Sequence, residues 1–179
     1  MPEIEIHPAR HEDFDSLKAF EHGYYSEYVW QMSIEVDKES ASADFRCVRL
    51  PRRVFVPYPR KKEFIFRESD QVEAFLVAEL GSRAVGYIKV QGEEDSKTAV
   101  ITDLVVSAPM RRQGIASGLI LATLDLITNR HYKLLIMEMQ SKNHPAIELA
   151  NKLGFNFSGF CDQYYQNQDL VIFFSRFIR

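Results

Sequence analysis

From Val72 onward, short apolar runs alternate with turn residues in an order that few folds accommodate. Ala74–Leu80 is an apolar strand, Gly81-Ser82-Arg83 carries turn chemistry, and Ala84–Val90 is a second strand, so the two form a hairpin. Gly92 to Ser96 is a polar turn and Thr98–Val106 a third strand. A helix follows over Gln113–Asn129, with Ile115, Leu119, Ala122 and Leu126 on its inner face. Tyr132–Met139 is apolar almost throughout, as a strand covered on both faces must be. A second helix, Pro145–Leu153, stops at Gly154, where a glycine can take the left-handed cap. Phe157–Tyr165 and Leu170–Phe177 read as strands flanking the polar turn Gln166-Asn167-Gln168. A three-strand meander, helix, strand, helix and hairpin define an α+β sheet with helices packed on it.

The front of the chain is less regular. Residues 3–7 alternate as a short strand does, and His11–Glu21 spaces Phe14, Leu17, Ala19 and Phe20 as a helix does. Tyr24, Tyr25, Tyr28 and Trp30 admit two readings. They wall an acceptor site, with Glu27 and Glu35 drawing a cationic amine, or they pack one face of a helix into the core. Asp44–Leu50 alternates again as a strand. Between Arg49 and Lys62 lie six basic residues and three prolines, interleaved with Val54, Phe55, Val56 and Tyr58. The prolines forbid a helix and disfavour a central strand. This is a solvated crossing segment or a basic wall beside a phosphate or acidic substrate. With 179 residues, no repeat and no linker, residues 1–179 form one domain.

Composition narrows the function. A net charge of −3 gives no global attraction to nucleic acid. No apolar run approaches the ~20 residues a membrane-spanning helix needs. Cys47 and Cys161 lack metal-like spacing and any CxxC, and the first six residues lack a signal-peptide pattern. Together these predict a reduced, cytoplasmic protein with no nucleic-acid or membrane partner.

The most informative place is the join between Val105-Val106 and the following helix: Ser107-Ala108-Pro109-Met110, then Arg111-Arg112-Gln113-Gly114-Ile115-Ala116. The first turn of a helix has backbone N–H groups without intrahelical partners, and its dipole favours an anion. Gly114 and Ala116 let phosphate oxygens approach those amides, and Arg111 and Arg112 add positive charge. A pyrophosphate fits this device; close packing of helix on sheet is the competing explanation for the small residues. Neither G-x-G-x-x-G nor a Lys-Ser or Lys-Thr pair is present.

Val105–Leu121 resembles motif A of the GNAT acetyltransferases, whose core is Arg/Gln-x-x-Gly-x-Gly/Ala, filled here by Arg111, Gly114 and Ala116. Glu138-Met139-Gln140, Asn143, Ala146-Ile147 and Lys152-Leu153-Gly154-Phe155 resemble the superfamily's second motif at the expected distance. Met137-Glu138-Met139-Gln140, Asn143 and Ala146, with Val29-Trp30 near the front, are similar to the streptothricin acetyltransferase branch. The resemblance covers about residues 72–177. It implies a mixed, mostly antiparallel central sheet, helices on both faces, and a V-shaped splay between two central parallel strands. Residues 72–177 would be the acetyl-CoA-binding core and 1–71 the variable acceptor side. With acetyl-CoA as co-substrate, Leu104, Val105 and Val106 would form the pantetheine edge. Arg111, Arg112, Gln113, Gly114, Ile115, Ala116 and Ser117 would hold the phosphates, and Asn143 would meet the pantetheine amides. The acceptor would be a small-molecule amine, and a homodimer stays open, since dimers are common in the superfamily.

Acyl transfer to an amine requires oxyanion stabilisation, removal of a proton from an amine of pKa ~10, and protonation of the leaving thiolate. It requires no metal. By the resemblance, the oxyanion donor is a backbone N–H near Val106. The family's usual acid, a tyrosine in the last helix, is replaced by Ala150, so Tyr164 and Tyr165 become the candidate acids. Glu138 and Asp103 are the candidate bases, because a carboxylate among Ile136, Met137 and Met139 demands a specific partner or role. A structural hydrogen bond is the alternative for each. His144, before Pro145, reads as a capping or surface residue. Transfer to a protein N-terminus or lysine, or a silent acetyl-CoA-binding module, are the competing functions.

Overall fold

The computed structural model describes residues 4–67 and 72–178. In chain order its elements are β1 (Glu5–Pro8), α1 (Phe14–Lys18, entered through a 3-10 turn at His11–Asp13), β2 (Tyr24–Val36), β3 (Ala41–Val56) and α2 (Lys62–Ile65). Then come β4 (Val72–Leu80), β5 (Arg83–Glu93), β6 (Thr98–Val106), α3 (Ile115–Asn129), β7 (Leu134–Gln140), α4 (His144–Lys152), β8 (Asn156–Cys161) and β9 (Val171–Phe177). The main sheet has the order β1-β4-β5-β6-β7-β9-β8. Among the described residues only β6 and β7 pair in parallel, because α3 carries the chain back across the sheet between them. The expected α+β class and mostly antiparallel sheet are what the chain adopts.

Successive strand residues face two cores, as period-two side chains must. Leu76, Ala78 and Ile88 face Ile115, Leu119, Ile120, Leu124 and Ile127 of α3. Val77, Tyr87 and Val105 face Leu17 of α1 and Ile65 of α2. Helices therefore cover both faces. Each fully buried Leu or Ile stabilises by roughly 1.5–3 kcal/mol, which explains why β4–β6 read so clearly as strands.

β6 and β7 keep register from Thr98↔Leu134 to Ile101↔Met137. Beyond that, β6 stays on β5, from Asp103↔Lys89 to Val106↔Gly86, while Glu138, Met139 and Gln140 stay on β9. The strands part where β6 bulges: Val90 faces Ile101, Lys89 faces Asp103, and Thr102 is the extra residue. A bulge sharpens local twist and ends regular pairing. This is the splay expected between the central parallel strands.

Five features differ from the sequence-based expectation. The aromatic segment at Tyr24–Trp30 is strand, not helix: β2 and β3 make a separate two-stranded arm. β3 runs through Pro51 because Leu50–Arg53 loop out opposite Glu27, between the pairs Ser26↔Val54 and Tyr28↔Arg49. A proline in such an irregularity removes no ladder donor. The first helix is one short turn rather than His11–Glu21, and α3 starts at Ile115 rather than Gln113. β8 ends at Cys161, so Tyr164 and Tyr165 sit in the following turn, where both backbone N–H groups donate to the Asp169 carbonyl. Residue 3 of the first predicted strand lies outside the described residues.

Candidate active site

The cradle at α3 is built by backbone conformation. Arg112 has φ +65° and Gly114 φ +86°, so the chain turns sharply just before the helix. A side chain at Gly114 would meet nothing within 4 Å, so glycine serves conformation there, not crowding. Among the described residues no side chain caps α3. Its first N–H groups, from Ile115 to Ser117, have no intrahelical acceptor, which suits a phosphate. The side chain of Ile115 is buried and anchors the turn to the core, so only its amide can serve a ligand.

The Arg111 guanidinium is engaged by the protein itself. Its Nε donates to the Val106 carbonyl at 2.9 Å and its Nη2 to the Glu21 carbonyl at 2.6 Å. Burial, opposed by nearby Glu21, lowers its pKa somewhat. Arg111 thus latches the loop to the end of β6 and to the segment after α1. Arg112 and Gln113 remain exposed. Asn143 is also engaged within the protein, because its Oδ1 accepts from the Ala146 N–H at 3.2 Å and caps α4. Pro145 in the first turn fits that cap.

The splay opens into a cleft lined by Leu104, Asp103, Thr102, Glu138, Met139, Asn143 and Tyr165, with Tyr58, Pro59 and Arg60 from the segment between β3 and α2. Leu104 lines this cleft, whereas Val105 is buried toward α1. Asp103 is 4% exposed; its Oδ1 accepts from Tyr58 Oη at 2.7 Å and its Oδ2 from Thr102 Oγ1 at 3.0 Å. The Glu138 side chain is 4% exposed and its Oε1 accepts from Arg60 Nη2. Tyr164 Oη lies 3.5 Å from Glu138 Oε2, and the Tyr165 phenol is near enough to the same carboxylate to favour its charged form. Burial pushes the Glu138 pKa above the ordinary value; the Arg60 cation and its hydrogen bond pull it back only in part. Burial, and then the charge of Glu138, raises both tyrosines, Tyr165 far more than Tyr164.

The structure thus brings Asp103, Glu138, Tyr164 and Tyr165 together at the point where β6 and β7 part. Ala150 is fully buried, so nothing from α4 supplies a proton at the usual position. His144 packs at a tilt against Tyr28, lies 3.8 Å from Cys47 Sγ, and faces Glu148 on its own helix. Both cysteines are free. Sequence reasoning missed Arg60 and Tyr58. The one signal available was the density of basic and aromatic residues in the proline-rich segment.

A splayed parallel pair, an uncapped helix start bearing a left-handed glycine, and a carboxylate–phenol cluster at the split form an arrangement suited to a pyrophosphate-bearing co-substrate. Residues 38–155 match the family model for the Acetyltransferase (GNAT) family, and the chain belongs to that family. It is an acetyl-CoA-dependent acetyltransferase, with acetyl-CoA as co-substrate. Among solved structures, a nourseothricin acetyltransferase is 15% identical, with a TM-score of 0.81 over 98% of this chain and 99% of that one. A Bacillus anthracis protein assigned as a streptothricin acetyltransferase, in complex with acetyl coenzyme A, is 17% identical, with a TM-score of 0.77 over 98% and 99%. The ribosomal-protein-S18-alanine N-acetyltransferase from Escherichia coli is 16% identical, with a TM-score of 0.67 over 98% and 94%. At these identities the likeness concerns the fold. No curated protein matches the sequence.

Proposed function

We propose that the protein transfers the acetyl group of acetyl-CoA to a primary amine of a small molecule, with Glu138 as general base. The observation that carries this is the Glu138 carboxylate itself, almost wholly buried at the mouth of the splay with its pKa raised by that burial. A base so poised is nearer the working pH than an ordinary glutamate. Asp103 is committed to Tyr58 and Thr102 and supports the site rather than taking the proton. Tyr164, nearly half exposed, supplies the proton to the leaving thiolate, while Tyr165 stays on Glu138. Residues 72–177 hold acetyl-CoA. The Leu104–Val106 edge takes the pantetheine arm, the amides from Arg112 to Ser117 the phosphates, and Asn143 the rim, with a backbone N–H near Val106 facing the oxyanion.

Residues 1–71 form the acceptor side. Two observations favour a compact amine over a polypeptide. Tyr24 Oη donates to Gln140 Oε1 at 2.8 Å and the Trp30 backbone N–H to the Ser141 carbonyl at 3.0 Å, so the β2–β3 arm is pinned across the end of β7. The two similar solved structures with the highest TM-scores quoted above carry the names of a nourseothricin and a streptothricin acetyltransferase. The test is free-thiol release from acetyl-CoA against polyamines, aminoglycosides, streptothricin and N-terminal peptides, with Glu138→Gln alongside. Turnover with a small amine, and a loss of about 10²–10⁴-fold in kcat for Glu138→Gln with acetyl-CoA binding retained, is the expected result. Turnover only with peptides shifts the function to protein acetylation. Tight acetyl-CoA binding without thiol release from any amine leaves a binding module. We place the protein in the cytoplasm, as a monomer or homodimer.

A further inference from the structure

Arg60 lies at the centre of the splay, yet none of the roles above uses it. It comes from Pro57–Lys61, the strap between β3 and α2, and its side chain is 25% exposed. Nη1 donates to the Thr102 carbonyl on β6 and Nη2 to Glu138 on β7. Thr102 is the bulge residue, and Glu138 is the first β7 residue beyond the parallel ladder. One planar guanidinium therefore spans the two strands at the first position where their backbones no longer bond. The same fork lies 3.6 Å from Asp103 Oδ1 and packs over the Tyr165 ring, 5.7 Å from its centroid. Tyr58, two residues earlier, fixes the same strap to Asp103.

The two carboxylates are held differently. Both oxygens of Asp103 accept hydrogen bonds at 3.0 Å or less. Glu138 gives Oε1 to Arg60, whereas Oε2 meets Tyr164 Oη only at 3.5 Å. We propose that Arg60 is a positioning residue: by bridging the parted strands it fixes Glu138 through Oε1 and leaves Oε2 turned to the acceptor amine. Lysine is no substitute, because an ammonium on a flexible stem does not reproduce a rigid two-directional fork. This rests on the reading of Glu138 as base.

Several groups face Glu138: Arg60 from the strap, Asp103 from β6, and Tyr164 and Tyr165 from the turn after β8. Tyr58 from the strap and Lys89 from β5 act one step removed, through Asp103. Removing Arg60 leaves Glu138 buried beside Asp103 with no cation bonded to it. A carboxylate in that setting keeps its proton to higher pH. The acid limb of kcat/KM must then move to higher pH.

The experiment compares Arg60→Ala, Arg60→Lys and Glu138→Gln over the pH range, with acetyl-CoA binding and thermal melting measured on each. The expected result for Arg60→Ala is about a hundredfold loss of kcat, a nearly unchanged KM for acetyl-CoA, an acid limb at higher pH, and partial recovery with added guanidinium or methylguanidine. Arg60→Lys returns the limb toward its original position but leaves kcat low. An unmoved limb in Arg60→Ala, or full kcat in Arg60→Lys, overturns the proposal. If Arg60→Ala does not fold, the kcat and limb of Arg60→Lys decide alone. Should Glu138→Gln keep its rate, the base assignment fails. Should Glu138→Gln be inactive while the Arg60 variants are normal, only the role of Arg60 fails.

Discussion

At the scale of single residues, the site is a contest between burial and hydrogen bonds over one proton. Glu138 is pushed toward its neutral form by burial and toward its carboxylate by Arg60 and Tyr165. The active form of a base is the carboxylate, so the rate rises as pH rises through its pKa. Tyr165→Phe removes a donor that favours the carboxylate and therefore shifts the acid limb of kcat/KM to higher pH, with kcat at the plateau little changed. Tyr164→Phe, if Tyr164 is the acid, lowers the plateau itself by about 10²-fold and leaves the acid limb in place. Full pH profiles of the two variants separate these outcomes. Equal plateau losses in both would mean that the phenols act as one relay.

At the scale of elements, the β6–α3 join was legible in the sequence, and the reason is local. A strand of Val and Leu, a proline turn, and Gly114 before an apolar helix all lie within about twenty residues and express backbone rules. Arg60 was not legible, because its partners Thr102 and Glu138 are 42 and 78 residues away and only the folded strap brings them together. The β2–β3 arm was hidden for a related reason: Pro51 argued against a strand until the four-residue bulge gave it a place. The contacts of Arg111 were not legible either, since composition cannot distinguish a guanidinium aimed at a ligand from one bonded to the Val106 and Glu21 carbonyls. The join can be tested as an element. Gly114→Ala places a Cβ at φ +86° in open space, so its cost is conformational, about 1–2 kcal/mol. It should lower the melting temperature by a few degrees and weaken acetyl-CoA binding measured by calorimetry. Arg111→Ala frees two carbonyls rather than removing a ligand charge. The acetyl-CoA affinity it loses should therefore depend only weakly on salt, whereas a lost phosphate contact would flatten the salt dependence.

At the scale of the whole molecule, the latch made by Arg111 reaches a second buried polar pair that ties the α1 face to the sheet. His22 is 5% exposed in the segment just after Glu21. Its Nδ1–H donates to the Phe20 carbonyl at 2.9 Å, a contact that fixes the neutral tautomer, and its Nε2 accepts from Tyr87 Oη at 2.9 Å. Burial lowers its pKa below the ordinary 6.5; the Phe20 contact opposes this and the Lys62 charge adds to it. In the unfolded chain His22 takes up a proton near pH 6.5, whereas the folded state resists protonation. Its contribution to stability is therefore complete above pH 6.5 and is lost as pH falls through that value toward the folded pKa. His7 acts in the opposite sense, because its contact with the Pro8 carbonyl, reinforced by Glu79, raises its pKa. That contribution is complete below pH 6.5 and fades as pH rises. The net slope of the wild-type protein mixes the two, so the variant difference is the informative quantity. His22→Gln keeps hydrogen-bonding capacity in the pocket but cannot titrate. Melting temperatures taken at pH 7.5, 6.5 and 5.5 should show the wild type losing more stability than His22→Gln over the lower half of that range. Parallel curves would place the acid sensitivity elsewhere. If the curves diverge as expected, acid loosens first the segment that Arg111 holds against the cradle, and acetyl-CoA affinity should decline with it.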